Sequence, residues 1–336
     1  MNTLLFIDDE EGVRRSMARA LKREPYRTLT AENGEAGIAL VKENLARVVI
    51  VVSDYKMPGL DGLETLMAIG GMNPEITRII LTGYATMEAA IAATNQGIDG
   101  FLTKPFDNRQ LRANIRDITV RKRLRQFVAE QVYREIERAP GALNPRFHDV
   151  TVLFSDIRGF TRMAQDVSPE VLADYLNNHY FTPMGEIAYA HGGMVDKHIG
   201  DSIMVVFGAP LPQPDDALRA VRAALAMQEK AREIDARLQT SGGLRLQTGI
   251  GIATGGVFSG ILGSLRKKEF TSIGMAVNIA ARLQHLAGGG EIIVSDSTWA
   301  CVEKLGKGDG MQARQLAPTT VKGVDTPLTV YRVTPD

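Results

Sequence analysis

Short apolar runs and amphipathic stretches alternate along the first third of the chain. The runs are rich in β-branched residues, and apolar residues recur at helical spacing in the stretches between them. We predict strands at residues 4–7, 28–31, 48–52, 78–81 and 100–103, and helices at 13–22, 34–43, 62–69 and 88–95. Strands that alternate with helices form a parallel sheet that is covered on both faces. The pattern therefore predicts an α/β domain with five parallel strands.

The next segment, residues 109–139, carries no strand pattern and is predicted to form one long helix that Pro140 and Gly141 end. Its basic cluster at 121–125 is interpreted as a solvated helix face in preference to a lipid or nucleic-acid contact. Apolar residues recur in it at heptad-like spacing: Phe127, Val128, Val132 and Ile136. We predict a helical linker that couples two domains and can pair with a second copy of itself.

The rest of the chain mixes strands and helices without regular alternation. We predict strands at residues 151–154, 194–198, 202–207, 245–253, 256–260, 270–273, 291–295 and 328–333, and helices at 170–190, 215–238 and 277–286. This order is typical of an α+β domain. The predicted organisation is a first domain at 1–118, a linker at 119–146 and a second domain at 147–336.

Composition narrows the function classes. The 336 residues are 44% hydrophobic and 23% charged, as in a folded globular protein, and 39 basic residues balance 39 acidic ones. A net charge of zero and the absence of DNA-binding motifs argue against a nucleic-acid partner. Cys301 is the only cysteine, which excludes an intrachain disulfide. No signal peptide and no apolar run of roughly 20 residues is present, so we expect a cytoplasmic protein without a membrane span.

Three acidic residues follow predicted strands of the first domain. Asp8 and Asp9 follow the first strand and Asp54 the third, and functional residues of parallel sheets lie at these carboxyl ends. Converging carboxylates repel one another without a cation, and oxygen ligands favour Mg²⁺. Beside Mg²⁺, a carboxylate can attack a phosphoryl group and carry it as an aspartyl phosphate. Lys104 can pair with the added charge, and Thr82 offers a hydroxyl.

The motifs FIDDE, SDYKMPGLDG, LTGYA and FLTKPF resemble the four signatures of response-regulator receiver domains, over about the first third of the chain. The resemblance implies a flavodoxin-like fold, Mg²⁺ held by the three aspartates, and phosphorylation of Asp54 by a sensor histidine kinase. It also implies that Thr82 and Lys104 sense the phosphoryl group and that Phe101 is the aromatic switch residue. The alternative is a flavodoxin-like domain whose acidic pocket has no activity.

A second set of chemical groups lies in the C-terminal half. Asp156 ends a predicted strand, and Asp201 lies in the turn of the hairpin KHIGDSIM, so the two can hold a pair of metal ions. Gly159-Phe160-Thr161 opens a helix, whose free N–H groups can cradle phosphates. Asn278 and Arg282 lie one helical turn apart and face the same way. An Arg on that face can stabilise charge that develops on phosphate.

Residues 147–334 resemble the class III nucleotide cyclases in the motifs FSDIRGFT, DKHIGDSIMVVFG, GIGIATGGVFSGILGS, EFTSIGMAVNIAARL and VKGV with VYRV. The resemblance implies a ferredoxin-like fold and a homodimer with two composite active sites, each holding two Mg²⁺ or Mn²⁺ ions. It implies metal binding by Asp156 and Asp201 of one subunit. For the other subunit it implies adenine recognition by Lys197 and Thr271, ribose positioning and transition-state stabilisation by Asn278 and Arg282, and contact with the terminal phosphates by Lys322.

The choice of base depends on Lys197 and Thr271. An ammonium donates to N1 of adenine, and a threonine hydroxyl can accept from the exocyclic amine. Guanine offers a carbonyl and an N1–H instead, so it would leave buried polar groups unpaired. We therefore expect ATP as substrate. With Thr at position 271, the sequence also resembles the bacterial subgroup of these cyclases that often responds to bicarbonate.

Other functions stay open at this point. A guanylate cyclase would turn over GTP, against which Lys197 argues. A nucleotide sensor with lost catalysis is opposed by the intact Asp156/Asp201 and Asn278/Arg282 pairs. A diguanylate cyclase is disfavoured because no GGDEF signature is present. We predict an adenylate cyclase that converts ATP to cyclic AMP and pyrophosphate, regulated by phosphorylation at Asp54.

Overall fold

The chain forms two compact units, Met1–Phe127 and Val128–Asp336. The computed structural model describes residues 2–22, 24–83, 97–125, 127–138, 143–240, 242–264, 266–306, 310–320 and 326–336. The predicted helix at 88–95 and the predicted helix end at 139–141 lie outside these residues. None of the helices within the described ranges is long and apolar enough to cross a membrane.

The N-terminal unit is built on a parallel sheet of five strands. The strands are β1 Thr3–Ile7, β2 Arg27–Ala31, β3 Val48–Asp54, β4 Thr77–Thr82 and β5 Gly100–Thr103, and the described helices are α1 Glu11–Leu21, α2 Gly34–Glu43, α3 Gly62–Met72 and α4 Asn108–Arg125. The sheet order is β2-β1-β3-β4-β5, with every pairing parallel. The predicted flavodoxin-like sheet is confirmed.

Two apolar layers cover this sheet. One contains Leu4, Phe6 and Ile79 together with Leu111 and Ile115 of α4. The other contains neighbouring strand residues that point to the opposite face and pack against α2 and α3. Because both faces are buried there, the central strands β1, β3 and β4 are largely apolar, and their polar ends are the places where chemistry can lie.

The basic stretch of α4 does not form a uniformly solvated face. Lys122 is mostly buried, and its ammonium donates to the carbonyls of Pro74 and Ile76 and to Asp99, each at 2.8 Å. Burial lowers the pKa of Lys122, against the attraction of Asp99. Our interpretation of 121–125 as a solvated cluster is therefore wrong for Lys122, which fastens α4 to the sheet.

The C-terminal unit contains a mixed sheet of eight strands. The strands are β6 Arg146–Ile157, β7 Met194–Ile199, β8 Ser202–Phe207, β9 Thr248–Gly263, β10 Lys268–Gly274, β11 Ile292–Ser295, β12 Met311–Gln315 and β13 Val330–Pro335. Seven follow the order β12-β13-β11-β9-β6-β8-β7, and β10 pairs with β9. The helices are α5 Glu130–Arg138, α6 Phe160–Met163, α7 Pro169–Tyr175, α8 Thr182–Ala190, α9 Asp216–Thr240, α10 Met275–Leu286 and α11 Asp296–Lys304, with a π-helical segment at Leu176–Phe181.

Helices pack on both faces of this sheet. The alanine-rich face of α9 joins the main core against residues of β6, β8 and β9. On the other face α10 approaches β9 closely, because a Cβ at Gly251 would lie 2.1 Å from the backbone nitrogen of Gln284 and 2.4 Å from the carbonyl oxygen of Ala280. A glycine at position 251 thus allows the helix with Asn278 and Arg282 to lie directly on the sheet.

Several predicted elements differ from those observed. The predicted helix at 109–139 is two helices, α4 and α5, because residues 127–129 leave helical geometry. Val132 does not pair with a second copy; it is buried in the core of the C-terminal unit. The predicted strands at 245–253 and 256–260 form one strand, β9. The pattern missed α11 and β12.

Candidate active sites

Lys104 connects two aspartates at the carboxyl end of the N-terminal sheet. Its ammonium lies 2.5 Å from Oδ1 of Asp54 and 3.2 Å from Oδ2 of Asp8. The strands β1 and β3 are neighbours, and β5 lies beyond β4, so their ends meet at one edge. Gly62 makes room there, since a Cβ on it would lie 2.1 Å from the carbonyl oxygen of Asp54. The structure thus brings together three of the predicted residues.

Burial and the pairing of charges act in opposite directions on the pKa values in this pocket. Burial raises the pKa of Asp8, although the backbone N–H of Glu10 and the ammonium of Lys104 oppose the rise. For Lys104, burial by itself lowers the pKa, but the hydrogen bond to Asp54 and the two carboxylate charges outweigh it and raise the pKa. The backbone N–H of Lys56 donates to Oδ2 of Asp54 at 3.1 Å. The pocket is therefore an anionic site held by one lysine.

The remaining predicted residues of this pocket are arranged less tightly. Asp9 is exposed, and its carbonyl accepts from Arg14. Thr82 is buried at the end of β4, where its carbonyl accepts from the N–H of Lys104 at 2.8 Å. Phe101 is partly buried and packs against the apolar layer on the α2–α3 side. A role for Phe101 as a switch stays a prediction.

Asp156 and Asp201 lie close to each other at the end of β6 and in the β7–β8 turn. Burial and then the negative charge of Asp156 raise the pKa of Asp201, against a backbone hydrogen bond from Ile157. Asp156 is bound on both sides: Ser202 donates to its Oδ2 at 2.5 Å and Arg158 to its Oδ1 at 3.3 Å. Strand pairing of Asp156 with Ser202 fixes this arrangement.

The surroundings of this carboxylate pair include residues that the sequence did not indicate. Arg158 also donates to the carbonyl of Gln284 on α10, and thus joins Asp156 to the helix with Asn278 and Arg282. Tyr180 is fully buried and donates to Ser155, one residue before Asp156, at 2.9 Å. It lies in the π-helical segment, a departure from α geometry that is frequent at functional sites.

The predicted base-reading residues meet at a second point of the unit. Thr271 on β10 donates from Oγ1 to Oδ2 of Asp196 at 2.8 Å. Lys197 on β7 has its ammonium 3.9 Å from the same oxygen and 2.9 Å from Glu269. Burial raises the pKa of Asp196 to about 6, against Thr271 and Lys197, which lower it. Asp196 was not predicted from the sequence.

Other predicted residues are not gathered around either point. Asn278 and Arg282 lie exposed on α10, and neither side chain forms a hydrogen bond or ion pair with another described residue. Gly159 has a φ of +74° and precedes α6, in which Phe160 packs on the core and Thr161 is exposed. Lys322 lies outside the described residues.

Both carboxylate pairs fit divalent cations by donor type. Asp8 with Asp54, and Asp156 with Asp201, offer oxygen ligands to hard ions such as Mg²⁺. The raised pKa of Asp201 reflects its burial and the nearby negative charge of Asp156. Within the described ranges, no group of three or more His, Cys, Asp or Glu side chains is arranged to hold a metal. A metal at either place would thus bind two close carboxylates and complete its shell from other ligands.

Three histidines of the C-terminal unit take part in packing. The ring of His198 lies 4.2 Å from that of Phe181, and burial lowers the pKa of His198. His191 contacts the carbonyl of Ile187 through Nδ1 at 2.9 Å, and His179 packs on Tyr175. These contacts give the three histidines packing roles.

Family models match both units. The adenylate and guanylate cyclase catalytic domain matches residues 143–334, and the response regulator receiver domain matches residues 4–116. Adenylate cyclase 1 of Rhizobium meliloti (strain 1021) is 30% identical over 187 residues, which are 55% of this chain and 27% of that protein. The chain thus spans about a quarter of the length of this relative.

Solved structures extend the likeness to the fold. The adenylyl cyclase CyaB from P. aeruginosa is 34% identical with a TM-score of 0.54, over 58% of this chain and 97% of that one. The guanylyl cyclase Cya2 is 36% identical with a TM-score of 0.52, over 56% of this chain and 92% of that one. The predicted ferredoxin-like fold of the C-terminal unit is confirmed. Adenylyl and guanylyl cyclases are matched almost equally well, so the chain's own residues must indicate the base.

Proposed function

The chain belongs to the adenylate and guanylate cyclase family and carries a response-regulator receiver domain, and from these premises we propose that it is a phosphorylation-regulated adenylate cyclase. The reaction is attack of the ribose 3′-oxygen of ATP on the α-phosphorus. The new O3′–Pα bond closes the cyclic diester, the bond from Pα to the bridging oxygen breaks, and pyrophosphate leaves. The 3′-hydroxyl proton passes to a nearby base or to water.

The observation that carries the choice of ATP is the meeting of Lys197 and Thr271 at Asp196. The two side chains come from different strands, yet both lie within 4.0 Å of one carboxylate oxygen. An ammonium can donate to N1 of adenine, and a hydroxyl oxygen beside it can accept from the 6-amino group. Guanine carries a hydrogen on N1, which would face the ammonium of Lys197, and polar groups would be left unpaired at a cost of about 1–3 kcal/mol each.

Asp156 and Asp201 are the residues that would hold two divalent ions. Bound Mg²⁺ or Mn²⁺ would lower the pKa of the 3′-hydroxyl and offset the charge on the phosphates. Within the protein, Ser202 and Arg158 orient the Asp156 carboxylate. Arg282 would stabilise the charge that develops at the α-phosphate, and Asn278 would orient the ribose. Lys322 and the backbone N–H groups of Gly159, Phe160 and Thr161, at the start of α6, would contact the other phosphates.

A homodimer would assemble each site from two subunits. Within one chain, Asn278 and Arg282 contact neither Asp156 nor Asp201, so one subunit brings the residues of the reaction only partly together. An exposed apolar row crosses three strands nearby: Phe147 pairs with Phe258, which pairs with Ile273. Burying such a row against a second copy would stabilise the dimer.

The receiver domain would control this reaction through Asp54. A phosphoryl group on Asp54 adds negative charge beside Asp8, and Lys104, already 2.5 Å from Asp54, would rebind to it. Mg²⁺ at the aspartates would assist the transfer from a sensor histidine kinase. The change would pass to the cyclase domain through the segment that contains α4 and α5.

The decisive assay incubates the purified full chain with ATP or GTP and Mg²⁺ or Mn²⁺ and identifies the cyclic product. Cyclic AMP is expected from ATP at a rate well above that of cyclic GMP from GTP. Preferential turnover of GTP would indicate a guanylate cyclase. No cyclic product from either nucleotide would indicate a nucleotide-binding signalling module.

The regulatory part is tested separately with a small-molecule phosphodonor. The wild-type rate should change on phosphorylation, while the Asp54→Ala variant should keep one rate with and without the donor. Equal response of the variant and the wild type would contradict control through Asp54. The Glu43→Gln variant, which alters an exposed acid at the end of α2, is the matched control and should respond as the wild type does.

A further inference from the structure

Asp196 is an extra residue in the strand that carries Lys197. In the pairing of β7 with β8, Val195 lies opposite Val205 and Lys197 opposite Met204, so Asp196 has no partner of its own. Such a bulge re-aims the side chains on either side of it. The Asp196 side chain is fully buried, with 0% of its surface exposed. A carboxylate in this position is costly to bury and calls for a reason.

The carboxylate has one direct partner and one vacant oxygen. Oδ2 accepts the hydrogen of Thr271 at 2.8 Å and lies 3.9 Å from the ammonium of Lys197. Oδ1 is buried and has no hydrogen-bond partner among the residues that the structure describes. Asparagine at this position could also accept from Thr271, but its amide can equally donate. An ionised carboxylate can only accept, so Thr271 must be the donor in this hydrogen bond.

A hydroxyl has one hydrogen, so its direction decides what it offers to a ligand. Because the hydrogen of Thr271 is committed to Asp196, only lone pairs of Oγ1 remain for a base. We propose that Asp196 is a positioning residue that makes Thr271 an obligate acceptor and thereby selects a purine nucleotide with a 6-amino group. This rests on the proposed function and adds to it a residue that never touches the nucleotide.

The test uses purine riboside 5′-triphosphate, which differs from ATP only in lacking the 6-amino group. The ratio of kcat/KM for ATP to that for this analogue is measured on the wild type, Asp196→Asn, Thr271→Val and the double variant. The wild type should prefer ATP. Each single variant should lower the ratio about three- to tenfold, the effect of one hydrogen bond. The double variant should match Thr271→Val, since both changes remove one interaction.

Two further variants distinguish a role in base selection from a structural role. Asp216→Asn replaces another buried carboxylate of the same unit, one that binds Arg219, and should keep the wild-type ratio. Asp196→Ser is made in parallel, so that a folded variant without the carboxylate is available. A purely structural role would lower the rates with both nucleotides equally and leave the ratio unchanged.

The proposal is overturned if the wild type shows no preference for ATP, or if Asp196→Asn and Asp196→Ser keep the wild-type ratio while Thr271→Val loses it. It is also overturned if the two single effects multiply in the double variant. Failure of the proposed function is a different result, namely no cyclic product from either nucleotide. In that case the ratio of dissociation constants for ATP and the analogue, measured by calorimetry on the same proteins, gives the same comparison.

Discussion

The ammonium of Lys104 lies 2.5 Å from the carboxylate of Asp54 and also reaches the buried Asp8. This one cation balances two carboxylates that come from different strands. Replacing Lys104 by Gln would leave them facing each other, and we expect the receiver unit to lose about 1–3 kcal/mol of unfolding free energy at pH 7. Urea denaturation checks this, and millimolar Mg²⁺ should restore part of the loss. The exposed Lys42 supplies the control variant, Lys42→Gln, which should unfold as the wild type does.

Asp196 should make the cyclase unit less stable as the pH rises. Its pKa is raised by burial to about 6 from an ordinary 3.8, so the protonated form is favoured by folding. The stability that this form contributes is full below pH 4 and is lost between about pH 4 and 6. The neighbouring charges, Lys197 and Glu269, are present in wild type and variant alike. Asp196→Asn should therefore gain about 2–3 kcal/mol at pH 7.5 and little at pH 4.

Denaturation at both pH values and at equal protein concentration measures this gain. A variant that is more stable yet less selective for ATP is the expected signature of a carboxylate kept for function. A loss of stability in Asp196→Asn at pH 7.5 would show that the carboxylate supports the fold.

Arg158 should matter for catalysis although it is not one of the two residues that would hold the metal ions. It joins the Asp156 carboxylate to the carbonyl of Gln284. Arg158→Gln would release Asp156 and the helix α10 from each other, and we expect kcat to fall about 10- to 100-fold, the range for hydrogen bonds to a charged group. Steady-state rates with ATP check this. Arg222→Gln, which alters an exposed residue on α9, should leave kcat within a factor of two.

Lys122 should stabilise the receiver unit far more than its neighbours in the basic cluster do. Lys122→Met removes a buried ammonium that binds two carbonyls and Asp99, and we expect a loss of about 2–4 kcal/mol. Arg123→Met, one residue along on the exposed side, should cost no more than about 0.5 kcal/mol. Thermal and urea unfolding of the full chain compare the two. Equal effects would mean that the buried contacts of Lys122 contribute nothing.

Composite sites predict complementation between inactive variants. Asp156→Asn and Arg282→Ala should each be nearly inactive alone. In a mixed dimer, one of the two sites combines the intact Asp156 of one subunit with the intact Arg282 of the other. Random exchange makes half of the dimers mixed, so the mixture should recover about a quarter of the wild-type rate. No recovery after exchange, verified by tagged subunits, would place both residues in a site within one chain.

Much of the fold could be predicted because the spacing of apolar residues indicates helices and strands, and the residues that follow strands indicate the sites. The apolar central strands of the receiver unit predict a sheet that is buried on both faces. Its topology brings Asp8, Asp54 and Lys104 to one edge. The Asp156–Asp201 pair followed in the same way from a strand end and a hairpin turn. In each case a local signal determined the position of the side chain.

The rest depends on contacts between segments distant in sequence. The helical period continues across residues 126–129, yet Val132 packs on the second unit while Lys122 binds the first. Asp196 precedes a predicted functional lysine, but the bulge that turns its side chain toward Thr271 arises from pairing with β8. Tyr180 lies in a π-helical segment that no composition rule marks. These residues were missed because their roles come from tertiary structure.

The interruption between α4 and α5 limits the kind of message that the chain can pass along its length. A continuous helix would transmit twist, and inserting a single residue would change its phase by about 100°. Here one helix is fastened by Lys122 and the other by Val132, each to its own unit, and residues 127–129 between them are not helical. A joint without helical geometry does not transmit a rotation of one helix about its axis to the next helix. We therefore expect that receiver domains with linkers of other lengths can replace this one when they are joined to the cyclase domain between α4 and α5.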